Sequence, residues 1–102
     1  RRGSVELFLG YDSDLQTATR VIREATQSAE GVMAEPPASV RVQELGQDDI
    51  IVEVRFWTDS RRSDFVLTTS EVRERIVTAL KAANIGLPDP DVRVLVPRQT
   101  EK

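Results

Sequence analysis

The run from Val40 to Trp57 constrains this chain more than any other feature. Val40-Arg41-Val42-Gln43 alternates apolar and polar residues before Glu44-Leu45, and within Ile50 to Thr58 the alternate residues Ile50, Val52, Val54 and Phe56 are apolar. Between them lies Gly46-Gln47-Asp48-Asp49, a short polar connection with a glycine. Alternation with period two is the mark of a strand with one buried face, and two such runs around a short glycine turn predict a β-hairpin. A hairpin cannot bury its apolar face alone, so the rest of the chain must supply a cover.

The flanking sequence supplies it. Val5, Leu7 and Leu9 alternate with Glu6 and Phe8, which predicts a first strand ended by Gly10-Tyr11-Asp12-Ser13-Asp14. Leu15, Ala18, Ile22, Ala25 and Ala29 then recur at spacings of three and four, an amphipathic helix. Asp12 or Ser13 is the expected cap, with Gln16 completing a capping box, and Gly31 the expected stop. Pro36-Pro37 bars helix and brings the chain extended into the hairpin. A second helix is expected over Ser70 to Asn84, with Val72, Ile76, Leu80 and Ala83 on one stripe and Phe65 and Leu67 as a possible backward extension. Thr68 and Glu71 offer it a capping box. Asn84 and Gly86 end it, and Pro88 and Pro90 prevent a restart. Asp91 to Val96 alternates once more as a final strand before a polar tail.

The expected fold class is therefore α+β, a ferredoxin-like β-α-β-β-α-β two-layer sandwich. Residues 1–90 form the domain body, and residues 91–102 the terminal strand and tail of the same single domain. Right-handed crossovers put both helices on one sheet face. Val5, Leu7, Leu9, Val40, Val42, Ile50, Val52, Val54 and Phe56 should point to them. Glu6, Phe8, Arg41, Gln43, Ile51, Glu53, Arg55 and Trp57 should point away.

Composition excludes much chemistry. The 102 residues include no cysteine and no histidine. That removes disulfides, thiolate metal sites and the commonest general base and metal ligand, so no Ser-His-Asp arrangement forms. No cofactor is expected. A formal net charge of −3 gives no electrostatic footprint for nucleic acid. The apolar runs fall far short of the roughly 20 residues that span a bilayer, and no signal peptide precedes the first strand. Arg1 in first place, with no Met, points to a piece of a longer chain. Asp12 and Asp14 are explained by helix capping, and Asp48 and Asp49 by the turn they occupy. Arg61 and Arg62, beside Asp59 and Asp64, read as a solvated charge cluster. The acidic residues after Gly10 would repel a phosphate. No enzyme is expected.

The outward face is mixed. Phe8, Ile51 and Trp57 lie among charges there. Scattered apolar residues are ordinary on a protein surface, but an aromatic anchor within a charged rim is also the anatomy of an interface. Stacking of RNA bases on such a sheet is opposed by Glu6, Glu53 and the net charge.

Gly10-Tyr11-Asp12-Ser13-Asp14, Pro37-Ala38-Ser39-Val40-Arg41-Val42, Glu44-Leu45-Gly46, Val54-Arg55-Phe56-Trp57 and Ile85-Gly86-Leu87-Pro88-Asp89-Pro90, in this order and spacing, resemble the small-conductance mechanosensitive channel family. The resemblance covers nearly the whole chain and implies the carboxyl-terminal α/β domain. It departs from the family at the acid between the prolines and at a slightly longer Arg61–Leu67 loop. The family's properties imply a tension-gated channel of the inner membrane that releases solutes under osmotic shock. This domain would lie in the cytoplasm as part of a homo-heptameric cage below the pore. Its partners would be other subunits, and its only link to the membrane would run through upstream helices. Asp91 to Val96 would be the strand that joins a small barrel, with Val92, Val94 and Val96 on one face. The expected contact residues are thus Phe8, Ile51, Trp57, Val92, Val94 and Val96. The alternative is a stand-alone ferredoxin-like module binding a small ligand or a protein.

Overall fold

The computed structural model of the chain describes residues 1–59 and 62–85. Its elements are β1 (Arg2–Gly10), α1 (Leu15–Ser28), β2 (Ser39–Leu45), β3 (Asp49–Trp57) and α2 (Arg62–Ala82). The strands form an antiparallel sheet in the order β1-β3-β2, so the hairpin strand β3 is central. This is a small α+β domain of two layers. The Pro88–Pro90 break and the expected strand from Asp91 to Val96, with Val92, Val94 and Val96, lie outside the described residues.

Both helices cover one sheet face, and a single core joins them to it. Ala18, Ile22 and Ala25 of α1 and Val72, Ile76 and Leu80 of α2 are buried with Val5, Leu9, Ile50, Val52, Val54 and Phe56 of the sheet. Every inward residue of β3 is buried, as expected of a central strand under two helices. Each buried Val, Leu, Ile or Phe of this core contributes roughly 1.5–3 kcal/mol of transfer free energy. Leu7 and Val40 are only half-buried, and Val42 is 42% exposed. The inward assignment fails in effect at Val42 because β2 is an edge strand that reaches past the cover of α1.

Two expectations for the ends of α1 change. Asp14, not Asp12 or Ser13, caps α1: its carboxylate accepts from the Thr17 amide at 3.2 Å and the Thr17 hydroxyl at 2.8 Å. Ser13 instead donates its amide to the Gly10 carbonyl in the turn. The helix stops at Ser28 with Ala29 as its C-cap, and Gly31, at φ +95°, turns the chain just beyond.

The second helix starts earlier than its Val72–Leu80 stripe requires. Phe65 extends that stripe by one heptad and stacks on Phe56 at 6.4 Å, so the possible backward extension through Phe65 and Leu67 is realised and α2 begins at Arg62. Thr68 and Glu71 are inside the helix and form no capping box. The far end follows the sequence closely. Asn84 adopts φ 57° and donates its amide to the Lys81 carbonyl, while Ile85 donates to Leu80. This is a Schellman closure with asparagine in the left-handed position, and Ile85 packs on the core beyond it. No described helix is long and apolar enough to cross a membrane.

Candidate functional site

The sheet face opposite the helices carries three of the expected contact residues, Phe8, Ile51 and Trp57, and strand register arranges it in rows. Phe8 stands opposite Ile51, with Glu44 on the far side of Ile51. The next row is Glu6, Glu53 and Arg41, then Ser4, Arg55 and Ser39, and last Arg2 beside Trp57. Phe8 and Ile51 therefore meet as a cross-strand pair. Trp57 does not join them: it lies six positions along the strand from Ile51, about 20 Å of extended chain. All three are half-buried. The face has an apolar end, a charged middle and a lone tryptophan at the other end.

The charged middle neutralises itself. Glu6 and Glu53 are directly opposite, an arrangement that alone would be repulsive. Glu53 Oε1 accepts from Arg41, with Nη2 at 3.0 Å, and from Arg55 Nε at 3.1 Å. The Glu53 side chain keeps only 19% of its exposure, so the two guanidiniums hold a carboxylate largely withdrawn from water. Glu6 accepts from Gln43 Nε2 at 3.0 Å, a bond that crosses over β3. Gln43 reaches that far because it is the extra residue of a β-bulge. Val42 pairs with Val52, and Glu44, not Gln43, pairs with Ile51. The bulge also returns Leu45 to the inward side, opposite buried Ile50, although Leu45 itself is 70% exposed. Alternation places Arg41 and Glu53 on one face, but only the register brings them together.

Both acidic turns lie at one end of the sheet, where Gly10 pairs with Asp49. There the Tyr11 hydroxyl donates to the Gly46 carbonyl, joining the β1–α1 turn to the hairpin tip. Asp14 is occupied by its cap, and the Thr17 hydroxyl and then the Thr17 amide hold its carboxyl below the usual value. Among the described residues, no three His, Cys, Asp or Glu side chains gather to hold a metal ion. The hollows on the helical side are open grooves. One of about 510 Å³ runs between α1 and α2 over Ala25, Ser28, Glu71, Arg75 and Ala79, where Arg75 already pairs with Glu71 at 2.8 Å. Another lies along α1 beside Leu15, Thr19 and Arg23.

Comparison with known proteins gives a consistent picture. The family model described as "Mechanosensitive ion channel MscS, C-terminal" matches residues 6–87. A small-conductance mechanosensitive channel from Edwardsiella ictaluri (strain 93-146) is 24% identical over 94 residues, spanning 92% of this chain and 32% of that protein. Among solved structures, Helicobacter pylori MscS in its closed state matches with a TM-score of 0.73 at 25% identity, over 87% of this chain and 35% of that one. Arabidopsis thaliana MSL1 shares the fold with a TM-score of 0.71 at 15% identity, over 87% of this chain and 34% of that one. The chain thus spans about a third of the length of the relatives it matches.

Proposed function

The chain belongs to the family of MscS carboxyl-terminal domains, and from that membership we propose that it is a wall element of a tension-gated channel that releases solutes under osmotic shock. In this reading the domain lies in the cytoplasm below the pore of an inner-membrane protein. Copies of it, seven in the full-length assembly, form the cage. Its work is mechanical: it holds a rigid shape and meets its neighbours, and it performs no catalysis.

The observation that carries this proposal is the family match across residues 6–87 on a fold whose second sheet face has no covering layer among the described residues. The helices seal one side with a continuous apolar core. The other side offers the Phe8–Ile51 pair and Trp57 around a Glu53 carboxylate already held by Arg41 and Arg55, so a partner could cover Glu53 without stranding its charge. Residues 1–90 are the body of the domain. Residues 91–102 are a separable segment in which Val92, Val94 and Val96 face partner strands, completing the ferredoxin-like order or detaching into a barrel between subunits. The ligand-binding alternative gains nothing from the two grooves, which are open and lack the enclosed, mostly apolar lining of a small-molecule site.

The test is to express the full-length protein in bacteria stripped of their own mechanosensitive channels. Tension-activated currents in excised membrane patches and improved survival of osmotic downshock are expected. Absence of any tension-activated current, with the protein present in the membrane, would overturn the channel reading.

A further inference from the structure

We propose that β2 is a locally opening flap of this domain, latched at its two ends by side chains from other elements: Gln27 at its entry and Tyr11 at its exit. Four observations converge on it. First, β2 is a sheet edge, bonded to β3 on one side only among the described residues. Second, it buries little. Val40 is half-buried and the other residues of the strand are exposed, Val42 by 42% and Leu45 by 70%. Third, the bulge at Gln43 interrupts the β2–β3 ladder at its middle. A strand with few buried apolar groups and an interrupted ladder is the kind of segment that opens without global unfolding.

The fourth observation concerns the ends. Gln27 of α1 donates from Nε2 to the Met33 carbonyl at 2.7 Å and accepts the Ala38 amide on Oε1 at 2.8 Å. One side-chain amide therefore ties the middle of the α1–β2 connection, at Met33, to its last residue before β2, Ala38. At the other end the Tyr11 hydroxyl donates to the carbonyl of Gly46, immediately after the strand. Opening from Arg41 onward would leave β1, β3 and both helices assembled, since no residue of β2 is among the fully buried core residues and only Val40, at its entry, packs against them. It would bare the edge of β3.

Amide hydrogen exchange on the 102-residue chain, followed by NMR, reads the flap directly. The ladder amides of β2 are expected to exchange sooner than those of Val5, Leu7 and Leu9 in β1. Tyr11→Phe removes a single hydroxyl, and it should speed exchange in β2 about two- to tenfold while leaving β1 unchanged. Gln27→Leu should do the same, beginning at Ala38. The proposal is overturned if β2 is as well protected as β1, or if neither variant changes β2. It is also overturned if both variants accelerate the two strands by the same factor, which would mean that the chain opens only as a whole.

Discussion

Gly31 stands directly against Thr68: a Cβ placed on Gly31 would lie 2.6 Å from the Thr68 Oγ1. Gly31 also has φ +95°, a conformation that an L side chain adopts only under strain. The residue turns the chain after α1 and lets α2 approach it closely. Gly31→Ala is therefore expected to destabilise the domain by about 1–3 kcal/mol, from backbone strain and from the clash together. Chemical denaturation separates the two causes. In a Thr68→Ala background the clash is relieved, so the cost of Gly31→Ala should shrink to the backbone part. An equal cost in both backgrounds would show that Thr68 does not matter.

A second close approach involves Gly3 of β1. A Cβ there would meet Phe56 Cζ at 2.6 Å and Phe65 Cε1 at 3.0 Å. Phe56 is fully buried and has no room to retreat. Gly3→Ala should cost about 1–3 kcal/mol by overpacking. Shortening the half-buried partner in Gly3→Ala/Phe65→Leu should recover part of the loss, because only one of the two rings then resists. Thermal unfolding of the single and double variants checks this. A Gly3→Ala protein as stable as the parent would contradict the packing around Phe56.

Asp14 gives the domain an acid-sensitive contact. Its pKa in the folded chain lies below the ordinary 3.8, chiefly through the Thr17 hydroxyl bond. The unfolded chain therefore binds the proton more readily than the folded one. The cap's contribution is complete above about pH 4 and is lost as pH falls through the lowered folded value. Asp14→Asn keeps a capping side chain but does not titrate. The expected result is a flatter decline of melting temperature between pH 4 and pH 2 than in the parent, and superimposable curves would remove Asp14 from the acid response.

The sequence made the hairpin, the first strand and both helices legible, because each shows its period over enough residues. The buried stripe of α1 and the inward side of β3 followed directly. What it could not convey depends on contacts between distant segments. The early start of α2 rests on Phe65 meeting Phe56, and the cap at Asp14 is one of three adjacent candidates with equal local merit. The bulge at Gln43 and the Glu53 network exist only once β2 is set against β3 in one register. Phe8, Ile51 and Trp57 were rightly placed on one face, yet strand length keeps Trp57 far from the other two.

The terminal segment can be probed through assembly. Val94 sits midway between Val92 and Val96 on the apolar side of the proposed partner strand. In the full-length protein, Val94→Asp is expected to lower the oligomeric mass seen by sedimentation, since a carboxylate on a strand-to-strand surface leaves a charge without water. An unchanged assembly would argue against that strand as a subunit contact.

Trp57 separates a core role from an interface role. Its neighbour Phe56 points inward and is fully buried, while Trp57 is half-buried on the open face. Phe56→Ala should cost about 3–5 kcal/mol. Trp57→Ala should leave the thermal transition of the 102-residue chain in place, because no described helix covers that side of the sheet. In the full-length protein the same substitution should weaken association, as truncation of an aromatic anchor does. The pair of measurements has two informative failures. Loss of the thermal transition would make Trp57 part of the fold's support, and an intact transition with intact assembly would make it an ordinary surface residue. The contact reading survives only if folding persists while assembly declines.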